Sequence, residues 1–425
     1  MKFHYLIWLS LIHKNCSGLQ IVVSQHRNYC TTEIINFQII GKIAIFLYNI
    51  VMLRNKKTVF VGMSGGVDSS VAAALLKTAR LPDGSQGFNV VGAHLKCFNV
   101  DGCAAQDAED ARRAAEHLGI PFYTFDYEKE YKEKVVKYMI DGYKMGITPN
   151  PDVMCNKEIK FGLFYKKAME LGADFVATGH YVLKIATARG GVPPSKNLEN
   201  GGGKNLKLKI AHDRAKDQSY FLWALKPEQL KHCLFPIGDY TKPQVRKLAK
   251  KFGLHNAEKK DSQGICFLGQ VSLPDFLRRY IRPKVGAIIN DSGKVIGQHK
   301  GAHLYTIGQR HLGLKNYELK IKNKPDQKPF YVAEKDVKKN TVVVVEGENH
   351  PMLYKKEVVL ANLNLFTKKI PKTVFSRVRY RQSLSRAKIV GNKLIFEKPV
   401  KFVAEGQSAV FYDKSGRMLG GGIIL

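Results

Sequence analysis

The stretch "VGMSGGVDSS", residues 61–70, places two glycines between serines directly after an apolar run. The run itself, "TVFVG", is rich in β-formers, and the residues that follow, "DSSVAAALLK", have the alanine content and spacing of a helix. Small residues at such a junction let the backbone turn tightly, so that its N–H groups and the helix N-terminus face an anion. The stretch therefore predicts a strand, a phosphate-binding loop and a helix.

The same alternation continues downstream. Apolar runs at residues 89–98, 120–127 and 173–182 alternate with helical patterns at residues 104–119, 128–146 and 157–172. This order predicts an α/β fold with a doubly wound parallel sheet, whose ligands lie at the carboxyl ends of the strands. From about residue 283 short β runs and turns replace the helices, which predicts C-terminal β-barrel-like domains.

A chain of 425 residues is too long for one ordinary domain. We predict a leader over residues 1–55, a catalytic domain over 56–281, a small central β domain over 282–352 and a β-barrel domain over 353–425. Residues 188–204 are rich in Gly, Pro and Asn, which predicts a flexible surface insertion in the catalytic domain.

Residues 1–54 hold a single acidic residue, Glu33, and five Lys or Arg residues. An acid-poor leader is typical of a mitochondrial transit peptide and predicts a mitochondrial location. One alternative is that the stretch precedes a true start at Met52. Another is a membrane anchor over residues 35–53, which polar residues interrupt and which ranks below the leader. We expect no stable membrane association.

The charge is strongly basic, with 68 Lys and Arg against 36 Asp and Glu, for a net charge of +32. Such an excess attracts a polyanion and favours nucleic acid over an anionic membrane surface as the partner. The seven cysteines include no CxxC pair, and a disulfide-stapled secreted domain would be smaller. We therefore assign no metal-ligating residues and expect reduced thiols.

The residues of the loop indicate which class of nucleotide-binding protein this chain resembles. Ser64, Ser69 and Ser70 offer hydroxyl donors, and Asp68 can either cap the helix or hold a magnesium ion that bridges phosphates. The Gly-Lys-Ser/Thr ending of a Walker A loop is absent, and so is GxGxxG. An ordinary turn that uses glycine is the alternative. "SGGVDSS" resembles the PP-loop signature of the ATP pyrophosphatases, which cleave ATP between its α and β phosphates.

Two cysteines stand in polar surroundings. In "TPNPDVMCNKEIKF", residues 148–161, Asp152 and Cys155 are three apart and share a helix face if the helix has begun. A helix N-terminus with Lys157 and Lys160 nearby would favour a thiolate. Cys266 lies in "KKDSQGICFLG", residues 259–269. For either cysteine alone a small buried residue is the better interpretation, but together with the loop the two suggest sulfur chemistry.

The motifs "GMSGGVDSS", "TPNPDVMCN", "ATGHY", "KDQSYFL", "DSQGICF", "YTIGQR", "RYRQ" and "GQSAVFY" occur in the order found in the tRNA-specific 2-thiouridylases. The resemblance runs from about residue 57 to the C-terminus and leaves out the leader and the insertion. It implies ATP with Mg²⁺, a wobble uridine of tRNA as target, and sulfur from a cysteine desulfurase or relay protein. Gln263 stands where many relatives have threonine.

The resemblance also implies roles for individual residues. Cys155 would be the nucleophile, Cys266 would carry the persulfide, and Asp152 would act as an acid or base or orient the base. The ATP contacts would be Gly62, Met63, Ser64, Gly65, Gly66, Val67, Asp68, Ser69, Leu95 and Gly179. The tRNA contacts would be Asn150, Pro151, Asp152, Lys216, Asp217, Gln218, Arg379 and Tyr380.

The residues give independent support for RNA binding. In "SRVRYRQ", residues 376–382, Arg377, Arg379 and Arg381 alternate, so on a strand they would form one phosphate-binding stripe with Tyr380 on the other face. A charge-guarded edge strand is the alternative. His180 follows the strand "DFVAT", at the carboxyl end of a strand, where a ligand would lie. A histidine with satisfied hydrogen bonds in an ordinary turn is the alternative.

The predicted reaction adenylates the C2 oxygen of the uridine, and a persulfide then delivers sulfur. Cys155 would either release hydrosulfide from the persulfide or resolve the product as a disulfide with Cys266. Three alternatives stay open: a PP-loop ligase acting on a small molecule, a tRNA-binding protein without catalysis, and an iron–sulfur enzyme that uses Cys155, Cys266 and a third ligand such as Asp152 or Cys97.

Overall fold

The computed structural model describes residues 56–79, 87–98, 100, 104–186, 206–260, 267–269, 271–310, 312 and 328–425. The predicted leader, the insertion at 188–204, Gln263 and Cys266 lie outside the described residues. Among the residues that are described, no helix is long and apolar enough to cross a membrane.

A five-stranded parallel sheet forms the first part. Its strands are β1 (Thr58–Gly62), β2 (Asn89–Lys96), β3 (Phe122–Asp126), β4 (Phe175–Thr178) and β7 (Cys233–Leu234). They lie in the order β3-β2-β1-β4-β7, and all four pairings are parallel. The predicted doubly wound α/β sheet is confirmed. The two-residue strand β7 was not predicted, because so short a run carries no period.

Helices cover both faces of this sheet. They are α1 (Val67–Thr78), α2 (Ala104–His117), α3 (Glu128–Tyr131), α4 (Lys137–Met145), α5 (Pro151–Met154), α6 (Tyr165–Glu170), α7 (Pro227–Leu230), α8 (Lys242–Lys251) and α9 (Leu273–Arg278). Two π-helical segments, Lys132–Val136 and Cys155–Phe164, make α3–α4 and α5–α6 continuous. Such segments are often found at functional sites, and the second one begins at Cys155.

The core follows from the alternation along β1. Val59 and Val61 pack on one face of the sheet with the buried alanines of α1, whereas Phe60 packs on the other face with Phe164. Both faces are apolar because both are covered, as a parallel sheet requires. The carboxyl ends of β1, β2 and β4 consequently open on one edge, next to the glycine loop.

An antiparallel pair, β5 (Val182–Ala186) and β6 (Leu206–Ile210), lies between β4 and β7 along the chain. After α9 the described residues are mostly β. A four-stranded sheet follows, with β8 (Gly286–Ile289), β9 (Val295–His299), β10 (Phe330–Asp336) and β11 (Thr341–Glu346). Six strands then close a barrel: β12 (Tyr354–Leu365), β13 (Val374–Arg377), β14 (Ser385–Val390), β15 (Lys393–Lys401), β16 (Ser408–Tyr412) and β17 (Met418–Ile424). The predicted C-terminal barrel is confirmed.

One predicted strand is wrong. β13 ends at Arg377, and residues 378–382 form a bend and turn in which Arg381 has a φ of +64°. The three arginines therefore do not alternate along one strand. Arg377 is 7% exposed and pairs with Asp217, whereas Arg381 is exposed.

Candidate active site

The glycine loop joins β1 to α1. Gly65 has a φ of +74°, and a Cβ there would approach the carbonyl oxygen of Asp107 to 2.3 Å. A side chain at this position would be strained twice, by the backbone conformation and by the collision. Gly65 is therefore required by the fold of the loop itself.

Gly66 has a different reason to be glycine. Its φ is −84°, and a Cβ would meet only Ser64 Oγ, at 3.5 Å. The position borders the cavity, so the missing side chain leaves room for a ligand at the helix N-terminus. Ser69 and Ser70 each donate their hydroxyl to the carbonyl oxygen of Gly66 at 3.1 Å, which fixes the loop.

Asp68 does not cap α1. Gly66 is the N-cap residue and makes no side-chain cap bond, so that part of the prediction is wrong. The Asp68 carboxylate instead contacts Lys242 Nζ at 2.8 and 2.9 Å and accepts a hydrogen bond from the Tyr181 hydroxyl at 2.8 Å. Asp68 also lines both cavities, so this ion pair lies next to the glycine loop.

Two adjoining cavities lie at the carboxyl edge of the sheet, with volumes of about 540 and 350 Å³. These volumes are in the usual range for small-molecule sites. Both cavities are lined by Ser64, Asp68, Asp107, Cys155, Lys160, His180 and Gln218. Gly66, Val67, Asp152, Lys216 and Tyr380 line the first cavity alone. Gly62, Met63, Ser69, Leu95, Cys97, Gly179 and Phe267 line the second alone.

Asp152 and Cys155 share a helix face, as their spacing predicted. Asn150 caps α5 by accepting a hydrogen bond from the Val153 N–H at 3.2 Å, and Pro151 occupies the first turn. Burial raises the pKa of Asp152, against an opposing effect of Lys160. The shift favours the protonated carboxyl, which can donate a proton to a group bound in the cavity.

Lys160 lies on the wall of both cavities, as its nearness to Cys155 suggested. Lys157 does not; its ammonium group pairs with Glu158 at 3.0 Å and its side chain is about half exposed. Phe267 borders the second cavity together with Cys155, and packs edge-on against Tyr131 at 5.7 Å. The residue that follows Cys266 therefore lies at the same cavity as Cys155.

His180 is a buried histidine that borders both cavities. Its Nδ1 lies 2.7 Å from the Thr178 hydroxyl. Burial lowers the pKa of His180 well below its ordinary value, and Lys160 adds to this effect. The shift favours the neutral imidazole, which can donate or accept a hydrogen bond at the cavity.

Some of the predicted tRNA contacts line the first cavity, and others do not. Lys216, Gln218 and Tyr380 line the first cavity, and Gln218 also accepts a hydrogen bond from the Tyr181 N–H at 2.9 Å. Arg379 lines neither of these two cavities; its guanidinium lies 5.8 Å from the Phe402 ring centre.

Asp217 does not face the cavity. It is 2% exposed, and its carboxylate accepts hydrogen bonds from Ala211 N–H, from Ser219 N–H and hydroxyl, and from the guanidinium of Arg377. The expectation that the Asp217 side chain contacts RNA is therefore corrected: its contacts join the loop to the barrel.

The sequence did not single out several residues of the cavity wall. These are Asp107, Asn156, Tyr181 and Phe221, together with Lys242, which pairs with Asp68. Asp68 and Lys242 are 174 positions apart, so no local spacing links them. Only the folded topology, which packs α8 against α1, brings this pair together.

A parallel sheet with a glycine loop after β1, an adjoining cavity and a facing cysteine define a nucleotide-binding enzyme of the PP-loop class. Family models for a tRNA methyl transferase HUP domain, its PRC-barrel domain and an aminomethyltransferase β-barrel domain match residues 57–270, 274–346 and 355–424. The tRNA-specific 2-thiouridylase MnmA of Legionella pneumophila (strain Paris) is 42% identical over 383 residues, which are 87% of this chain and 98% of that protein. The chain belongs to the tRNA-specific 2-thiouridylase family.

Other relatives agree over the same length. MnmA 1 of Geobacillus kaustophilus is 43% identical and the alignment covers 84% of this chain and 93% of that protein. MnmA of Chlamydia felis is 44% identical, with 87% and 97% covered. The resemblance thus spans both the cavity and the barrel.

Proposed function

We propose that this chain transfers sulfur to C2 of a wobble uridine in tRNA at the expense of ATP. The observation that carries the proposal is that Asp152 and Cys155 border the same cavity as the glycine loop residues Ser64 and Gly66. A phosphate group on the loop and a base beside the thiol would therefore share one site.

The charges of the first cavity suit an RNA substrate with a nucleotide. Its wall holds the cationic side chains of Lys160, Lys216, Lys259, Lys260 and Arg381. Three carboxylates, those of Asp68, Asp107 and Asp152, face them. The excess of cations attracts phosphates, and aromatic residues such as Tyr380 and Phe221 offer faces on which an unstacked base can lie.

The loop would hold ATP, the co-substrate, through its N–H groups, and Asp68 would bind the accompanying Mg²⁺. ATP supplies an adenylyl group to the C2 oxygen, with pyrophosphate as the leaving group. AMP then leaves the carbon far more readily than oxide would. Leu95 and Gly179 would contact the nucleoside, because both border the second cavity.

The sulfur would come from a persulfide on Cys266, loaded by a cysteine desulfurase or a relay protein. Its outer sulfur attacks C2 and AMP departs. The Cys155 thiolate then attacks the sulfur of Cys266, which releases the 2-thiouridine and leaves a Cys155–Cys266 disulfide for a thiol reductant to restore. Asp152 would move the proton at Cys155 or at the base.

An iron–sulfur version of the reaction uses the same cysteines. Among the described residues, no group of three His, Cys, Asp or Glu side chains is placed to hold a metal ion. Because Cys266 lies outside those residues, the visible absorbance of an anaerobic preparation is the measurement that separates the two versions.

The test uses the full chain with ATP, Mg²⁺ and unmodified tRNA that carries a wobble uridine, and with either sulfide or a persulfide donor. Digested tRNA is analysed by mass spectrometry for 2-thiouridine. We expect ATP-dependent 2-thiouridine with AMP and pyrophosphate as products. AMP without thiolated base from either donor would contradict the proposal and favour a ligase acting on a small molecule.

We also infer from the acid-poor leader that the protein acts in mitochondria. N-terminal sequencing of the mature protein tests this inference. A mature N-terminus within residues 1–55 other than Met52, in a mitochondrial fraction, supports it, whereas a start at Met1 or Met52 in a cytosolic fraction contradicts it.

A further inference from the structure

The segment Thr148-Pro149 immediately precedes Asn150, Pro151 and Asp152, and it is hydrogen-bonded to the barrel domain. The Thr148 N–H donates to the Glu405 carbonyl at 2.7 Å. The side-chain amide of Gln407 donates to the carbonyl oxygens of Thr148 at 2.9 Å and of Pro149 at 3.3 Å. Glu405 and Gln407 lie just before β16, more than 250 positions away along the chain.

The four-stranded central sheet contacts the same residue. The hydroxyl of Thr148 donates to the hydroxyl of Thr306 at 3.3 Å. Lys335 Nζ donates to the Tyr305 carbonyl at 2.6 Å and lies 3.5 Å from the Thr148 hydroxyl oxygen. Thr148 is 6% exposed, so these contacts are shielded from water. Three parts of the chain thus meet at one threonine.

Close packing leaves this segment little freedom. Gly406 has a φ of +86°, and a Cβ on it would come within 2.9 Å of the Thr148 carbonyl carbon. On the opposite side, a Cβ on Gly142 of α4 would come within 2.8 Å of Pro149 Cγ. Two glycines therefore allow the barrel and α4 to close on the segment from both sides.

The segment in turn sets the start of the catalytic helix. Pro149 and Pro151 flank the cap residue Asn150 and fix two φ angles, so a shift at Thr148 is passed on with little loss. Asp152 and Cys155 follow within the next two turns, and a displacement of about 1 Å at reacting groups can cost about 100-fold in rate.

We propose that Gln407 of the barrel is a positioning residue for the thiolation reaction: it holds Thr148-Pro149 so that Asp152 and Cys155 stand at the cavity. This inference rests on the proposed function. It gives a role to the motifs "GQSAVFY" and "YTIGQR", which supply Gln407 and Thr306 and line neither cavity.

The main variant is Gln407→Glu. It keeps the size of the side chain, but a carboxylate cannot donate to two carbonyl oxygens and repels both. We expect the single-turnover rate of 2-thiouridine formation to fall about 10- to 100-fold. The KM values for ATP and tRNA should stay within about twofold, because the loop and the basic cavity wall are unchanged.

The matched control is Asn364→Asp. The side-chain amide of Asn364, on β12, donates to the carbonyls of Trp223 at 2.6 Å and Leu225 at 2.7 Å, so it too joins the barrel to the first part of the chain. The substitution removes the same kind of contact away from Thr148. We expect a comparable fall in melting temperature with a turnover rate within about twofold of wild type.

Equal rates for Gln407→Glu and wild type, or equal losses in Gln407→Glu and Asn364→Asp, would overturn the inference. Gln407→Met, which removes the donors without adding charge, should reproduce the rate loss if Gln407→Glu does not fold, and a wild-type rate for it would also overturn the inference. Absence of 2-thiouridine from wild-type protein would instead contradict the proposed function, so the two failures are distinguishable.

Discussion

The buried ion pair between Asp217 and Arg377 gives the most specific stability prediction. The two residues are 2% and 7% exposed and are 160 positions apart. Arg377 also donates to the Tyr412 hydroxyl at 3.0 Å, but its Nε atom is buried with no hydrogen-bond partner. The guanidinium thus depends on Asp217 for its compensation, which makes the pair sensitive to loss of the carboxylate.

Asp217→Ala removes that carboxylate and strands the Arg377 charge together with the N–H groups of Ala211 and Ser219. Breaking a buried pair from one side typically costs about 3–5 kcal/mol. Without Arg377, the Asp217 carboxylate would still accept hydrogen bonds from three other donors. We therefore expect Arg377→Met to cost about 3 kcal/mol, at the lower end of that range.

The double variant Asp217→Ala, Arg377→Met should cost no more than Asp217→Ala alone, because methionine replaces the stranded charge with an apolar side chain. Urea unfolding of the three variants measures these free energies. Trp223 fluorescence reports directly on the interface, since its indole N–H donates to Ser408 of the barrel at 2.9 Å.

The surface pair Glu128 and Lys132 is the control. Its side chains are 39% and 49% exposed, and Glu128→Ala should change stability by less than about 1 kcal/mol. The reasoning is refuted if Asp217→Ala also costs less than about 1 kcal/mol, or if the costs of the two single substitutions add in the double variant.

Three further predictions concern the site. Gly66→Ala should weaken ATP binding at least tenfold in calorimetry with little loss of stability. Gly65→Ala should instead destabilise the fold by about 2 kcal/mol or more, because its φ is positive and its Cβ collides. A stable Gly65→Ala protein together with an unstable Gly66→Ala protein would contradict the assignment. Burial raises the pKa of Asp152, so its contribution to stability is full below the unfolded-state pKa and is lost as pH rises through the folded-state pKa. Asp152→Asn should therefore be more stable than wild type to urea at pH 7, with the difference gone near pH 3; a difference independent of pH would contradict this. Arg381→Ala should weaken tRNA binding and lower the slope of log K against log salt by about one, while Arg112→Ala, on α2 and paired with Glu109 and Glu116, should not; equal slopes in filter-binding assays would contradict the placement.

Local patterns in the sequence were enough for the first part of the fold. The glycine loop, the strands on either side of it and the shared face of Asp152 and Cys155 depend on neighbours within a few residues. Periodicity and capping rules describe such neighbours directly. The closed barrel was predictable as a class because its short strands alternate between turns.

Long-range partners explain what the sequence could not predict. The alternation of Arg377 with Arg379 suggested one RNA-binding stripe, yet the strand ends at Arg377 and its guanidinium turns to Asp217. Asp68 looked like a helix cap because it stands near the start of α1, but the helix already begins at Val67 and the carboxylate pairs with Lys242 of α8. The contacts of Thr148 come from two later parts of the chain, which only the folded topology brings together.

The central claim is that Cys155 performs sulfur chemistry beside the glycine loop. Burial raises the pKa of the Cys233 thiol to about 12, its Sγ donates to the Gln229 carbonyl at 3.0 Å, and it lines neither cavity. The decisive measurement is 2-thiouridine formed from a persulfide donor, ATP and tRNA by wild type, Cys155→Ser and Cys233→Ser.

We predict that Cys155→Ser forms no 2-thiouridine above background, while Cys233→Ser, which can donate the same hydrogen bond, retains the wild-type rate within about threefold. Full activity of Cys155→Ser with the persulfide donor would contradict the account, because the thiol at the cavity would then have no part in sulfur transfer.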